Sequence, residues 1–139
     1  MLYDKRKAFT MIELIFVIVV LGILAAVAVP RFAATRDDAQ ISKGRSDIAA
    51  IRSGIITERQ GRLFRGDNTF TASLDNNGTF GRVMTYPVTP QAGDGHWQVV
   101  TAGSVYTYTV VGVANTFTYT QATGRFLCTS GAYCGALTE

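Results

Sequence analysis

The chain has 139 residues, 13 Lys and Arg against 10 Asp and Glu, and a formal charge of +3. That length carries one small domain beside any anchor, and that charge lends no support to nucleic-acid binding. One histidine and two cysteines do not supply the four N or S ligands of a zinc centre, so no metal or cofactor is expected.

Lys5, Arg6 and Lys7 precede Phe9 to Val29, 21 residues with one charge, Glu13. As a helix this stretch reaches roughly 32 Å, enough to cross a hydrocarbon core. The flanking Lys and Arg keep the short N-terminal side in the cytoplasm, so the rest is exported. A carboxylate inside an apolar span costs about 2.5–3.5 kcal/mol even on lenient insertion scales. Two plain readings stand beside a functional one. Glu13 is a shallow side chain snorkelling to the headgroups, or the stretch is a secretory signal cut after Ala26-Val27-Ala28.

Lys7-Ala8-Phe9-Thr10-Met11-Ile12-Glu13-Leu14, continuing through Leu21-Gly22-Ile23-Leu24-Ala25-Ala26 to Pro30, resembles the N-terminus of type IV pilins and type II secretion pseudopilins. The resemblance covers about 30 to 50 of the 139 residues. It implies a prepilin peptidase cut between Ala8 and Phe9, methylation of the Phe9 amine, and an assembly role for Glu13. Pro30 matches the proline that commonly ends the family's apolar segment. Ala8 departs from the Gly usual before the cut. Residues 1–8 are then a leader and 9–30 a transmembrane and filament-core helix. Without Lys5, Arg6, Lys7 and Asp4, the mature chain keeps 10 basic and 9 acidic side chains.

Residues 31–65 read as an amphipathic helix. Ile41, Ile48 and Ile55 recur every seven residues, with Ile51 and Ala34 on the same flank, which predicts one apolar stripe packed on the domain's own sheet. Gly44, Gly54 and Gly61 each cost up to about 1 kcal/mol relative to Ala. Pro30 predicts a kink or local melting. Arg52, Arg59, Arg62, Arg65 and Arg82 read as a solvated face and loop, without the aromatic interleaving that single-strand binding prefers.

Residues 66–139 form the globular β domain. Turn clusters fall at Gly66-Asp67-Asn68, Asp75-Asn76-Asn77-Gly78 and Ala92-Gly93-Asp94-Gly95, with short strands or loop at 69–74 and 79–86. Asn77 sits in an acidic-flanked sequon, Asp75-x-Asn77-x-Thr79, but the plain Asn-Gly turn is the preferred reading. Strands are expected at 97–101, 105–113, 116–121 and 125–129, with Ala114-Asn115 and Ala122-Thr123-Gly124 as turns. The alternation of Tyr106, Tyr108 and Val110 with Thr107, Thr109 and Val111 puts the aromatics in the core. Cys128 and Cys134, exported to an oxidising compartment, read as a disulfide. Such a C-terminal loop is typical of many type IV pilins. Asp67, Asp75, Asp94 and Glu139 offer no calcium loop.

The expected class is α+β: a long N-terminal helix, apolar then amphipathic, packed on a small antiparallel sheet. Catalysis is poorly supplied, because His96 stands alone beside Trp97 and Gly93 to Gly95 is too short a phosphate loop. The resemblance implies a non-enzymatic filament subunit in the bacterial inner membrane with its C-terminal domain in the periplasm. Its partners would be copies of itself, other pilins or pseudopilins, a prepilin peptidase and an inner-membrane assembly platform. A type II secretion pseudopilin is placed first and a type IV pilus subunit second. An exported binding domain with a removable signal is the reading from another class.

Overall fold

A computed structural model of the chain describes residues 9–139, with only the backbone at 30 and 32–34. Ala8 and the rest of the leader lie outside the described residues. The order is α1 (Met11–Phe64), β1 (Trp97–Thr101), β2 (Val105–Val110), β3 (Val113–Thr120), β4 (Arg125–Ser130) and α2 (Cys134–Thr138). Two compact units divide between Arg36 and Asp37.

Helix α1 has defined ends. Thr10 Oγ1 accepts the Glu13 N–H at 3.3 Å, satisfying one of the orphan donors of the first turn. At the other end Gly66 takes a φ of 82°. The Gly66 N–H then bonds Leu63 O and the Asp67 N–H bonds Arg62 O, each at 3.0 Å. That pair is a Schellman closure, with glycine in the left-handed position where a Cβ would be strained. The helical backbone does not melt at residue 30.

The second unit holds the core. Ile48, Ile51 and Ile55 are at most 1% exposed and join Leu74, Phe80, Trp97, Tyr106, Tyr108, Phe117 and Phe126 in one cluster, with Ile41 partly buried beside them. Each isoleucine so buried contributes about 1.5–3 kcal/mol of transfer free energy. The glycines on this face have a packing reason beyond their propensity cost. A Cβ at Gly54 would run into the Val83 carbonyl, and one at Gly44 would overlap Tyr108 and Leu137.

The sheet is an antiparallel meander in the order β1-β2-β3-β4. Tyr106, Tyr108 and Val110 point inward, opposite outward Thr107 and Thr109, as the alternation predicts. One turn moves. Val110 pairs with Val113, so the hairpin turns at Val111 and Gly112, whose φ values are 50° and 72°. Two positive φ values mark a primed two-residue turn, which normally recruits Asn or Gly first. A β-branched Val there hides it, and the β2 pattern reads straight through. Ala114 and Asn115 accordingly belong to β3 rather than to a turn. Residues 67–96 carry loop and turns with a single bridge, Thr79 to Val88, so the choice at 69–74 and 79–86 falls to loop. Helix α2, unexpected from the sequence, buries Leu137.

Candidate functional site

Met11–Val29 is a 19-residue apolar stretch of mean hydropathy 3.0, and none of it is buried within the described residues. Phe9 is 80% exposed, and Ile12, Phe16, Ile18, Ile23, Leu24, Val27 and Val29 are all exposed. Burial of such a surface is the main driving force available to a chain, so a helix that leaves it open is built for lipid or for other helices. Glu13 lies in the first turn, three residues after Thr10. A carboxylate there meets the positive end of the helix dipole, worth about 0.3–1 kcal/mol. Threonine followed three residues later by glutamate is also the capping-box pattern, a signal readable in the sequence but overlooked. Glu13 has no ion pair among the described residues.

The tail of the second unit is a second built feature. Cys128 and Cys134 are joined by a disulfide, as expected. Asn115 is fully buried. It donates to Tyr108 O at 3.2 Å and Val113 O at 3.0 Å, and its Oδ1 accepts the Tyr133 N–H at 2.9 Å. Arg45 Nε donates to Ala136 O at 2.5 Å. Asn115 therefore pins the disulfide loop to β3, and Arg45 ties α2 to α1. As a supposed turn residue, Asn115 gave no sign of this.

Asp75 joins the long loop to the sheet. Its Oδ1 accepts the Phe80 N–H and the Tyr106 hydroxyl, both at 2.8 Å, and its Oδ2 accepts the Gly103 N–H at 2.7 Å. Burial, then the Asp75 hydrogen bond and charge, push the Tyr106 hydroxyl pKa up. Burial, with the Asp47 charge, pushes Tyr108 up to about 12. Asn77 has a φ of 57° at an exposed position, while Thr79 of the sequon is buried. His96 is half-buried, and its carbonyl accepts the Thr109 N–H.

Arg65 and Arg82 are exposed, as expected of a solvated face and loop, but Arg52, Arg59 and Arg62 are partly buried. Arg52 Nε donates to Phe126 O at 3.2 Å, and Arg62 pairs with Asp67 at 2.5 Å. Arg59 lies 4.2 Å over the Phe70 ring. An aromatic partner eleven residues away in the loop cannot be seen from helix periodicity.

The prokaryotic N-terminal methylation motif matches residues 3–29. The chain is 33% identical to a fimbrial protein of Moraxella nonliquefaciens over 115 residues, 81% of this chain and 72% of that protein. It belongs to the type IV pilin and pseudopilin family. To the type IV major fimbrial protein FimA of Dichelobacter nodosus this pilin-family chain is 36% identical over 95 residues, 63% of its own length and 59% of FimA. With the type II secretion system core protein G of Escherichia coli it shares 36% identity over 52 residues, 37% of this chain and 36% of the relative. No solved structure matches. Family and fold agree in a membrane-anchoring apolar helix, a filament-forming domain outside the cytoplasm and an α+β architecture. Proteins of this family are structural subunits of multi-subunit filaments.

Proposed function

We propose that the chain is cut between Ala8 and Phe9, methylated on the Phe9 amine, and held in the inner membrane by residues 9–30. A prepilin peptidase would make the cut, and an assembly platform would then draw the subunit into a polymer of itself and related pilins. The observation that carries this reading is the unburied 19-residue apolar helix with its one acid, Glu13, in the first turn. Moving such a helix from lipid to a bundle of like helices changes little hydrophobic free energy, so polar pairing decides register. Glu13 would meet the Phe9 amine of a neighbouring subunit, which methylation leaves charged. A bend at Pro30 would let the apolar and amphipathic parts follow different paths in the filament.

The filament we favour is a type IV pilus. The docked disulfide tail supports this, as do two fimbrial matches of 115 and 95 residues that extend well past the apolar helix. The reading placed first by the sequence alone, a type II secretion pseudopilin, is supported by similarity to protein G relatives over 52 residues in one and 86 in another. Deleting the gene and assaying surface filaments and protein secretion side by side separates the two.

Mass spectrometry of the membrane-extracted protein should give an N-terminal peptide beginning at methylated Phe9. Material beginning at Val29 would overturn the processing and the filament together. Glu13→Gln should leave membrane insertion intact and reduce filament yield. Stranding one member of a buried ion pair costs roughly 3–5 kcal/mol. Normal filament yield from that variant would show Glu13 to be a snorkelling residue only.

A further inference from the structure

The geometry points to a small-oxyanion site at the C-terminal end of α1, in a cavity of about 390 Å³ lined by Arg59, Asn68, Thr69, Phe70, Gln121 and Ala122. Arg59 and Arg62 sit one helical turn apart, and the Nε of each is buried without a hydrogen-bond partner among the described residues. Their situations differ. Arg62 places its Nη2 on Asp67 at 2.5 Å and on Thr69 at 3.2 Å, so its charge is paired with a carboxylate of the same chain. Arg59 has neither an ion-pair partner nor a protein acceptor among the described residues, and its guanidinium is fixed over Phe70 at 4.2 Å.

With its carbon 4.2 Å over the Phe70 ring, the guanidinium keeps an N–H edge with no protein acceptor among the described residues. That edge is planar and matches a carboxylate or phosphate through two parallel hydrogen bonds. The Phe70 ring packs closely on Gly124, where a Cβ would overlap it. The opposite wall is tied down as well, since Gln121 Nε2 donates to Phe70 O at 3.3 Å. A half-buried cation held over an aromatic ring, beside neutral amide and hydroxyl groups, is a preorganised receptor for an oxyanion. Glu58, adjacent to Arg59 in the chain, lines a different cavity with Gly54, Thr57 and Arg82, and Asp67 is already held by Arg62 and by the Thr69 N–H and hydroxyl, so Asp67 does not compete. The ligand class is a polar molecule bearing one carboxylate or phosphate group. The site lies wholly in the second unit and does not depend on the filament reading.

The test uses the full chain in neutral detergent, labelled for NMR at arginine Nε–H. Inorganic phosphate and sodium acetate are titrated separately, against sodium chloride at equal ionic strength. The expected result is a saturable shift of the Arg59 resonance with phosphate, acetate or both, and none of comparable size with chloride. Phosphate alone assigns a phosphate ligand and acetate alone a carboxylate. Arg59→Lys keeps the charge over Phe70 but loses the planar edge, and should weaken saturation at least about tenfold. Gln121→Ala, which leaves the Arg59–Phe70 stack in place, checks that the cavity wall matters and should weaken it by a smaller factor. Linear shifts identical for all three salts would overturn the site, as would full retention of saturable binding in Arg59→Lys.

Discussion

Asp75→Ala should destabilise the globular unit more than any surface position in the loop. The carboxylate accepts three hydrogen bonds of 2.7–2.8 Å, from Phe80 N, Gly103 N and the Tyr106 hydroxyl. Phe80 and Tyr106 are both fully buried, so truncation leaves donors that the protein cannot satisfy. An orphaned buried donor costs about 1–3 kcal/mol. Asp75 itself is half-buried, and water entering the vacated space relieves part of that loss. The low end of the range for each bond gives about 3–5 kcal/mol in total. For a unit of about 100 residues that lowers Tm by about 15–25 °C. Asp75→Asn keeps one acceptor oxygen and turns an amide N–H toward one donor, so it should lose only about 1–3 kcal/mol. The assay is urea unfolding of the full chain in detergent, followed by fluorescence of Trp97, the single tryptophan and fully buried. An Asp75→Ala midpoint equivalent to less than 1 kcal/mol from wild type would refute the idea that Asp75 holds loop and sheet together.

Gly54→Ala removes a helix-weakening residue but drives a methyl into the Val83 carbonyl; the clash should win and lower the unfolding midpoint, and a more stable variant would show that the loop gives way freely. Oxidised protein should resist alkylation at Cys128 and Cys134, and replacing both with Ser should cost about 2 kcal/mol in the loop-closure picture; full alkylation of native, non-reduced protein would sink this. Stability should hold below pH about 10 and fall as pH rises toward 12, because Tyr106 and Tyr108 are held protonated in the fold and ionise first in the unfolded chain. Unfolding midpoints from urea titrations across that window check the sign, and a flat profile would count against burial of these hydroxyls.

Much of this protein is legible without coordinates, because its strongest signals are local. An unbroken apolar run with one acid declares a membrane helix through composition alone. The Ile41, Ile48 and Ile55 spacing declares the packed face of the next stretch, and the alternating Tyr106, Tyr108 and Val110 declare the inner face of β2. Each depends only on the period of the backbone that carries it. The tertiary structure alone decided where long-range polar groups and close approaches fall. Val111 enters a left-handed turn against its own preference because the β2–β3 register demands it. Asn115, 18 residues before Tyr133 in the chain, anchors the disulfide tail. Asp75 reaches 31 residues to Tyr106, and Arg59 finds the Phe70 ring. Gly54 earns its place only when Val83 comes to lie against it. Partners so distant along the chain leave no periodicity behind, since their meeting is set by how helix, loop and sheet close on one another rather than by the spacing of residues within any one of them.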